Sequence, residues 1–173
     1  MENKKKVLAY GLIGVLCTIA FTCFDQWTKH LAVVHLAGQE DVILIPGIFQ
    51  LQYLENRGAA FGMMQNQIPL FVIMTTAYLC AAIWFYCKMP KEKKYTLLHM
   101  ICVLLTAGAL GNFIDRIRLG YVVDFFYFSL IDFPIFNVAD IYVVVSFCVL
   151  ILAILFIYKD EDFSFLDKKK QEK

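Results

Sequence analysis

Apolar residues fall into four long runs along this chain, and polar residues gather between them. Residues 7–24, 68–87, 95–114 and 138–158 each have the length, about 17 to 25 residues, that crosses a bilayer as helix. Between the first two runs the period changes. Over residues 42–56, β-branched and aromatic residues break at Pro46-Gly47, then alternate through Ile48-Phe49-Gln50-Leu51-Gln52-Tyr53. That period predicts short strands of a small sheet on the membrane's outer face, too short and too polar to span. Residues 63–67, with Pro69 in the first turn of the second span, read as an interfacial connector. The expected fold is mainly α, a polytopic membrane protein with four transmembrane helices, a small β-sheet and a short interfacial helix.

Composition narrows the class. At 60% hydrophobic and 18% charged over 173 residues, the chain is too apolar for an ordinary soluble domain and fits one membrane-embedded domain over residues 1–173. The first run follows Lys4-Lys5-Lys6, as a cleavable signal peptide would. No small-x-small pattern closes it and three more spans follow, so it reads as a retained helix. Lysines crowd the start, the link carrying Lys88, Lys91, Lys93 and Lys94, and the tail from Lys159 onward, whereas the other two connections hold only Lys29, Arg57, Arg116 and Arg118. The positive-inside rule then puts both termini in the cytoplasm and the two longer connections outside. The charged tail, 159–173, reads as flexible and dispensable for chemistry.

All six cysteines lie in the predicted spans without CxxC or Cys/His spacing, and most read as small apolar packing residues. His30 and His35 lack a nearby cysteine or second close histidine, and His99 reads as hydrogen-bonded or interfacial. Nothing supports a zinc site; a hard cation held by Asp115, Asp124, Asp132 or Asp140 is open on oxygen chemistry alone, though nothing fixes a coordination pattern.

The polar residues inside apolar surroundings carry the candidate chemistry, because carboxylates there are costly unless paired, solvated or used. Asp25 and Lys29 stand four apart, acid before base, in the favourable order for one helix face. The plainer reading is a surface ion pair fixing the helix end; a direct catalytic role is the minor one. Asn56-Arg57-Gly58-Ala59-Ala60-Phe61 is either a tight turn or a place where backbone approaches another surface closely. In the third span Gly108 and Gly111 permit close helix contact. Asn112 and Arg116 follow on one face with Asp115 beside them, either as an interfacial cap or as part of a site. Asn137 can cap the fourth helix with Asp140 three residues on, a capping-box variant. Asp124 lies between Val123 and Phe125, where neither capping nor turn chemistry explains it.

Span three leaves and span four returns on the same side, so Asp124 and Asp140 are expected at one depth. Two neighbouring carboxylates tend to share a proton, which supplies an acid and a base together. That is what hydrolysing an amide with unactivated water requires. No histidine is expected near Ser129 with a third orienting group, so a serine triad is weak.

These residues resemble the lipoprotein signal peptidases of type II, membrane-embedded aspartic proteases of bacteria. Asp25-Gln26-Trp27-Thr28-Lys29 resembles the family's D-x-x-x-K, and residues 56–61 resemble N-x-G-x-A-F. Gly111-Asn112-Phe113-Ile114-Asp115-Arg116 resembles G-N-x-x-D-R, Val122-Val123-Asp124-Phe125 resembles V-x-D-F, and Phe136-Asn137-Val138-Ala139-Asp140 resembles F-N-x-A-D. Ile141 departs from the serine often found there. The resemblance implies that Asp124 and Asp140 are the catalytic dyad and that Asn56, Gly58, Asn112, Arg116 and Asn137 bind or orient substrate. Asp25, Lys29 and Asp115 would support the structure, with no metal and no cofactor. It further implies an enzyme of the bacterial cytoplasmic membrane, with its site at the outer leaflet. There it would remove signal peptides from diacylglyceryl-modified prolipoproteins before the lipid-bearing cysteine. Membrane lipids and a globomycin-like inhibitor are the other expected partners, with no nucleic acid and a monomeric state. The competing readings are a small transporter or channel using its intramembrane carboxylates, and a lipoprotein-handling scaffold. The transporter is the main rival, though four spans without evident paired broken helices or inverted halves make it weaker than a protease; the scaffold comes third.

Overall fold

The computed structural model describes residues 2–58 and 64–166. Four long helices, α1 (Glu2–Leu36), α2 (Ile68–Lys88), α3 (Thr96–Leu119) and α4 (Val138–Phe156), are each long and apolar enough to cross a membrane. The third is the centre of the bundle. It packs against α1, α2 and α4, and 44% of its most apolar window is buried inside the protein, against 6 to 22% for the other three. Leu, Ile, Val and Phe side chains cover the outward sides of α1, α2 and α4, where exposure means exposure to hydrocarbon rather than water.

Small residues let α3 occupy that position. A Cβ on Gly108 would lie 2.6 Å from the carbonyl oxygen of Ala139, and one on Gly111 would run into the carboxylate of Asp25. Glycine at these two points brings the start of α4 and the middle of α1 against the α3 backbone. α3 then stops at Gly120, whose φ of 75° is the left-handed cap that turns the chain away from the helix.

The sheet has the order β1 (Val42–Ile45), β2 (Phe49–Asn56), β3 (Val122–Tyr127), antiparallel throughout. The first two strands and their turn, closed by Ile48 N donating to Ile45 O at 3.0 Å, follow the alternation in the sequence. β3 comes from the distant run around Asp124, and its register sets Asn56 opposite Val122 and Leu54 opposite Asp124. Residues 64–66 form a turn. The 59–61 part of the Asn56 motif and Met63 of the connector lie outside the described residues.

Three sequence expectations change. The first helix does not stop with its apolar run at residue 24 but runs on to Leu36, because Ala32 and Leu36 pack with Val123, Phe125 and Val138 beneath the sheet. Only Cys102 is buried and Cys17 half-buried. Cys23, Cys80, Cys87 and Cys148 are exposed on helix surfaces that face lipid, where a small apolar side chain is equally at home. The beginning of the tail is a docked 3-10 helix, Asp160–Leu166, rather than a free charged segment. Phe163 and Phe165 pack on the cluster of Met89, Tyr95 and Tyr158. Tyr95 Oη donates to Asp162 O at 2.9 Å, Tyr158 Oη to Lys94 O at 2.8 Å, and Lys94 pairs with Asp162. Two aromatic side chains among the charges are enough to fasten it; residues 167–173 lie outside the described residues. His99 is buried between Tyr10 and Tyr86, with Nε2 3.1 Å from Pro90 O.

Deleting residues 160–173 should destabilise the bundle by about 1–3 kcal/mol through the lost Phe163 and Phe165 burial. The shift shows as a lower melting temperature in detergent.

Candidate active site

The site is built on an ion cluster buried between α1, α3 and α4. Lys29 is 3% exposed, Asp25 0% and Asp115 3%, so the i, i+4 pair read as a surface feature is an interior one. The sheet and α3 cover it, which spacing along one helix cannot reveal. Lys29 Nζ lies 3.0 Å from Asp25 Oδ2, 2.9 Å from Asp115 Oδ2 and 2.8 Å from Asn112 Oδ1, which uses all three of its N–H donors. The carboxylates also receive backbone groups. Ala139 N donates to Asp25 Oδ1 at 2.9 Å, and Val123 N donates to Asp115 Oδ2 at 3.2 Å. The first turn of α4 and the start of β3 are therefore both tied to α1. Gln26, which sequence reasoning passed over, donates to Asp115 Oδ1 at 2.8 Å and to Gly111 O at 3.1 Å. An amide beside Asp25 on the same apolar helix was the available signal.

Asn112 and Asn137 carry the network from this cluster to the two candidate carboxylates. Asn112 Nδ2 donates to Asp140 Oδ1 at 2.8 Å. Asn137 Nδ2 donates to Asp124 Oδ1 at 2.6 Å and to Asn112 Oδ1 at 3.0 Å. The capping box at the start of α4 is fully formed, with Asp140 N donating to Asn137 Oδ1 at 3.1 Å and Asn137 N donating to Asp140 Oδ2 at 3.0 Å. Asn137 thus touches both aspartates. On the sheet side, Asn56 reaches diagonally across β2 and β3, its Nδ2 donating to Asp124 Oδ2 at 2.8 Å while its Oδ1 accepts from Gly58 N at 3.0 Å.

Asp124 and Asp140 face one cavity of about 420 Å³, whose polar wall is Asn56, Gly58, Asn112 and Arg116. Its apolar wall includes Phe133, Ile135, Ile141, Val144 and Val145; the last three lie along successive turns of α4, leading from Asp140 toward the middle of the span. Among the described residues Arg116 makes long contacts, to Asn112 O at 3.5 Å and Gly58 O at 3.4 Å, and its guanidinium lies 4.6 Å from the centre of the Phe71 ring. One residue expected to bind or orient substrate sits elsewhere. Asn137 is 0% exposed behind the carboxylates and holds them instead of lining the cavity, because its amide is used up in capping and bridging. Asp115 faces α1, away from Asn112's cavity side. Among the described residues no group of three or more His, Cys, Asp or Glu side chains is placed to hold a metal ion.

Burial, and after it the charge of Asp140, push Asp124 up to about 7, against the opposing hydrogen bonds from Asn56 and Asn137. It is 1% exposed. A carboxyl held there is mostly protonated at mildly acidic pH, beside a partner at a helix N-terminus that suits a negative charge.

Four membrane helices with two amide-linked carboxylates in a cavity at one end define a multi-pass membrane protein with a paired-carboxylate site. The family model for signal peptidase (SPase) II matches residues 17–156, and the chain belongs to that family of peptidases. A lipoprotein signal peptidase of Streptococcus thermophilus (strain CNRZ 1066) is 43% identical over 144 residues, covering 83% of this chain and 91% of that protein. One from Streptococcus pyogenes serotype M5 (strain Manfredo) is 40% identical over 149 residues, covering 86% and 95%. A solved bacterial membrane enzyme at 1.9 Å superposes with a TM-score of 0.71 at 32% identity, covering 84% of this chain and 94% of that one.

The position of Asp124 has a consequence for stability. Between its ordinary 3.8 and about 7 the folded protein holds a proton that the unfolded chain has released, so stability falls as pH rises through that window. Asp124→Asn removes this contribution. The melting temperature of the variant should decline less steeply than that of the parent between pH 4 and 7, which thermal unfolding in detergent measures.

Proposed function

We propose that the protein removes the signal peptide from diacylglyceryl-modified prolipoproteins, cutting before the lipidated cysteine with a water activated by Asp124 and Asp140. The observation that carries this reading is the cavity that both carboxylates share, with Asn137 behind them donating its Nδ2 to Asp124 and its backbone N–H to Asp140. Asp140, in the first turn of α4, is the resting carboxylate and takes the proton of the attacking water. Asp124 is the resting acid and donates to the scissile carbonyl oxygen. The tetrahedral intermediate then collapses as Asp140 returns its proton to the departing amine, and Asp124 recovers its own from the new carboxylic acid group.

The remaining groups serve binding. Asn56, Gly58, Asn112 and Arg116 offer polar contacts to the peptide backbone around the scissile bond. Arg116 is free for this because it has no carboxylate partner within ion-pair distance among the described residues. The apolar wall along Ile141, Val144 and Val145 receives the membrane-embedded part of the signal peptide, and a globomycin-like cyclic peptide would compete for the same cavity. Asn137 positions both carboxylates, and Asp25, Lys29 and Asp115 fix the frame.

The protein works as a monomer in the bacterial cytoplasmic membrane, with both termini inside and the site at the outer leaflet. Supporting this, the lysine-rich N-terminal end of α1, the link before α3 and the 3-10 helix Asp160–Leu166 lie together, through Tyr10 with Thr96 and Lys94 with Asp162, opposite the sheet.

Purified protein in detergent should cleave a diacylglyceryl prolipopeptide in the presence of a chelator. Asp124→Asn and Asp140→Asn should each lower kcat by about 10³-fold or more without unfolding the protein. Full turnover in either variant would contradict the dyad. Activity should also fall as pH rises past about 7, because the acid form of Asp124 is consumed there; a profile flat to pH 9 would remove Asp124 from that role.

A further inference from the structure

The least explained choice at the site is the direction in which its amides point. An amide side chain can be turned end for end with little change in shape, and only its partners decide which end faces which group. Here all of Asn112 and Asn137 that faces the two aspartate side chains is N–H. Something must hold them so.

Lys29 supplies the constraint. An ammonium has donors and no acceptor, so only the oxygen of Asn112 fits against it, at 2.8 Å. With Oδ1 fixed there, Nδ2 of Asn112 is left to face Asp140 Oδ1 at 2.8 Å. The same oxygen accepts from Asn137 Nδ2 at 3.0 Å, and that amide continues to Asp124 Oδ1 at 2.6 Å. Turned round, Asn112 would set its NH₂ against the Lys29 ammonium and the Asn137 NH₂, and its oxygen against Asp140. We infer that Lys29 is a positioning residue: it orients the Asn112 amide so that a donor, not a carbonyl, faces Asp140, while the capping box fixes Asn137 toward Asp124. The two carboxylates, Asp25 and Asp115, hold the ammonium in line for this task. Lys29 does not border the cavity, so it acts on turnover rather than on substrate binding. The inference rests on the reading of Asp124 and Asp140 as the catalytic pair.

A double-mutant cycle separates this role from a merely structural one. Cleavage of the lipopeptide is measured for the parent, Lys29→Met, Asn112→Leu and the double variant, with kcat referred to folded enzyme. Lys29→Met should lower kcat about 10- to 100-fold, the scale of losing an orienting partner, and leave KM within about threefold. Once Asn112 is gone Lys29 has nothing to orient, so the double variant should turn over within about threefold of Asn112→Leu alone. Losses that multiply would overturn the inference, as would a Lys29→Met enzyme with unchanged kcat. If Lys29→Met is unstable, the same cycle in an Asp115→Asn background, where Asp25 keeps Ala139 N and Gln26 as donors, reads the same quantity. Active Asp124→Asn or Asp140→Asn enzymes would overturn the dyad itself; inactive ones with a multiplicative cycle would overturn only the part given to Lys29.

Discussion

Charge burial at one end of the helix bundle is the constraint on which the structure depends. Asp25, Lys29, Asp115 and Asp124 are all 3% exposed or less, with Asp140 and Arg116 beside them. Four carboxylates face two cations in a setting with little water, where breaking one buried ion pair costs about 3–5 kcal/mol. Lys29 settles two of the carboxylates directly. The remaining two share a cavity with Arg116, and a single proton between them cancels the one negative charge that Arg116 leaves over. The chemistry proposed for the site is thus the same fact as its electrostatic solution.

That solution shapes the fold around it. Gly111 is a glycine because Asp25 occupies the place of its side chain, and Gly108 because the Ala139 carbonyl lies against it. Both contacts bring α4 close enough for Asp25 to accept from Ala139 N and for Asn112 to reach Asp140. Asp115 draws β3 in through Val123 N, and β2 then sets Asn56 beside Asp124. Helix packing, strand register and the two carboxylates are fixed by one set of contacts. In the function proposed above, the apolar side of the cavity, running down α4, receives a membrane-bound peptide.

Much of this was legible in the chain. Four spans, the first hairpin of the sheet and the capping box at Asn137 follow from length, alternation and local polar chemistry, and the structure contains each. Asp124 stood out because nothing local excused it. Asp140 was readable as a helix cap or as part of a site; the structure forms the cap, one oxygen facing Asn137 N, and turns the other to Asn112 beside the cavity. What failed needed knowledge of what covers a face. Spacing gave Asp25 and Lys29 a common side of α1 but could not say that α3 and the sheet bury it. Nor could it show that Asn137 sits behind the carboxylates, that Gln26 joins the cluster, or that Phe163 and Phe165 dock the tail. The cysteines erred in the other direction, since in a span an apolar residue gains nothing from facing inward.

The central claim is that the pair rests with one proton, held by Asp124. Isotope-edited infrared spectroscopy of aspartate-labelled enzyme in lipid, near pH 6, reads it directly through the carbonyl stretch of a protonated carboxyl group. The account predicts one such buried band in the resting enzyme that disappears on Asp124→Asn. A band that survives Asp124→Asn, or its absence from the unaltered enzyme, would contradict it.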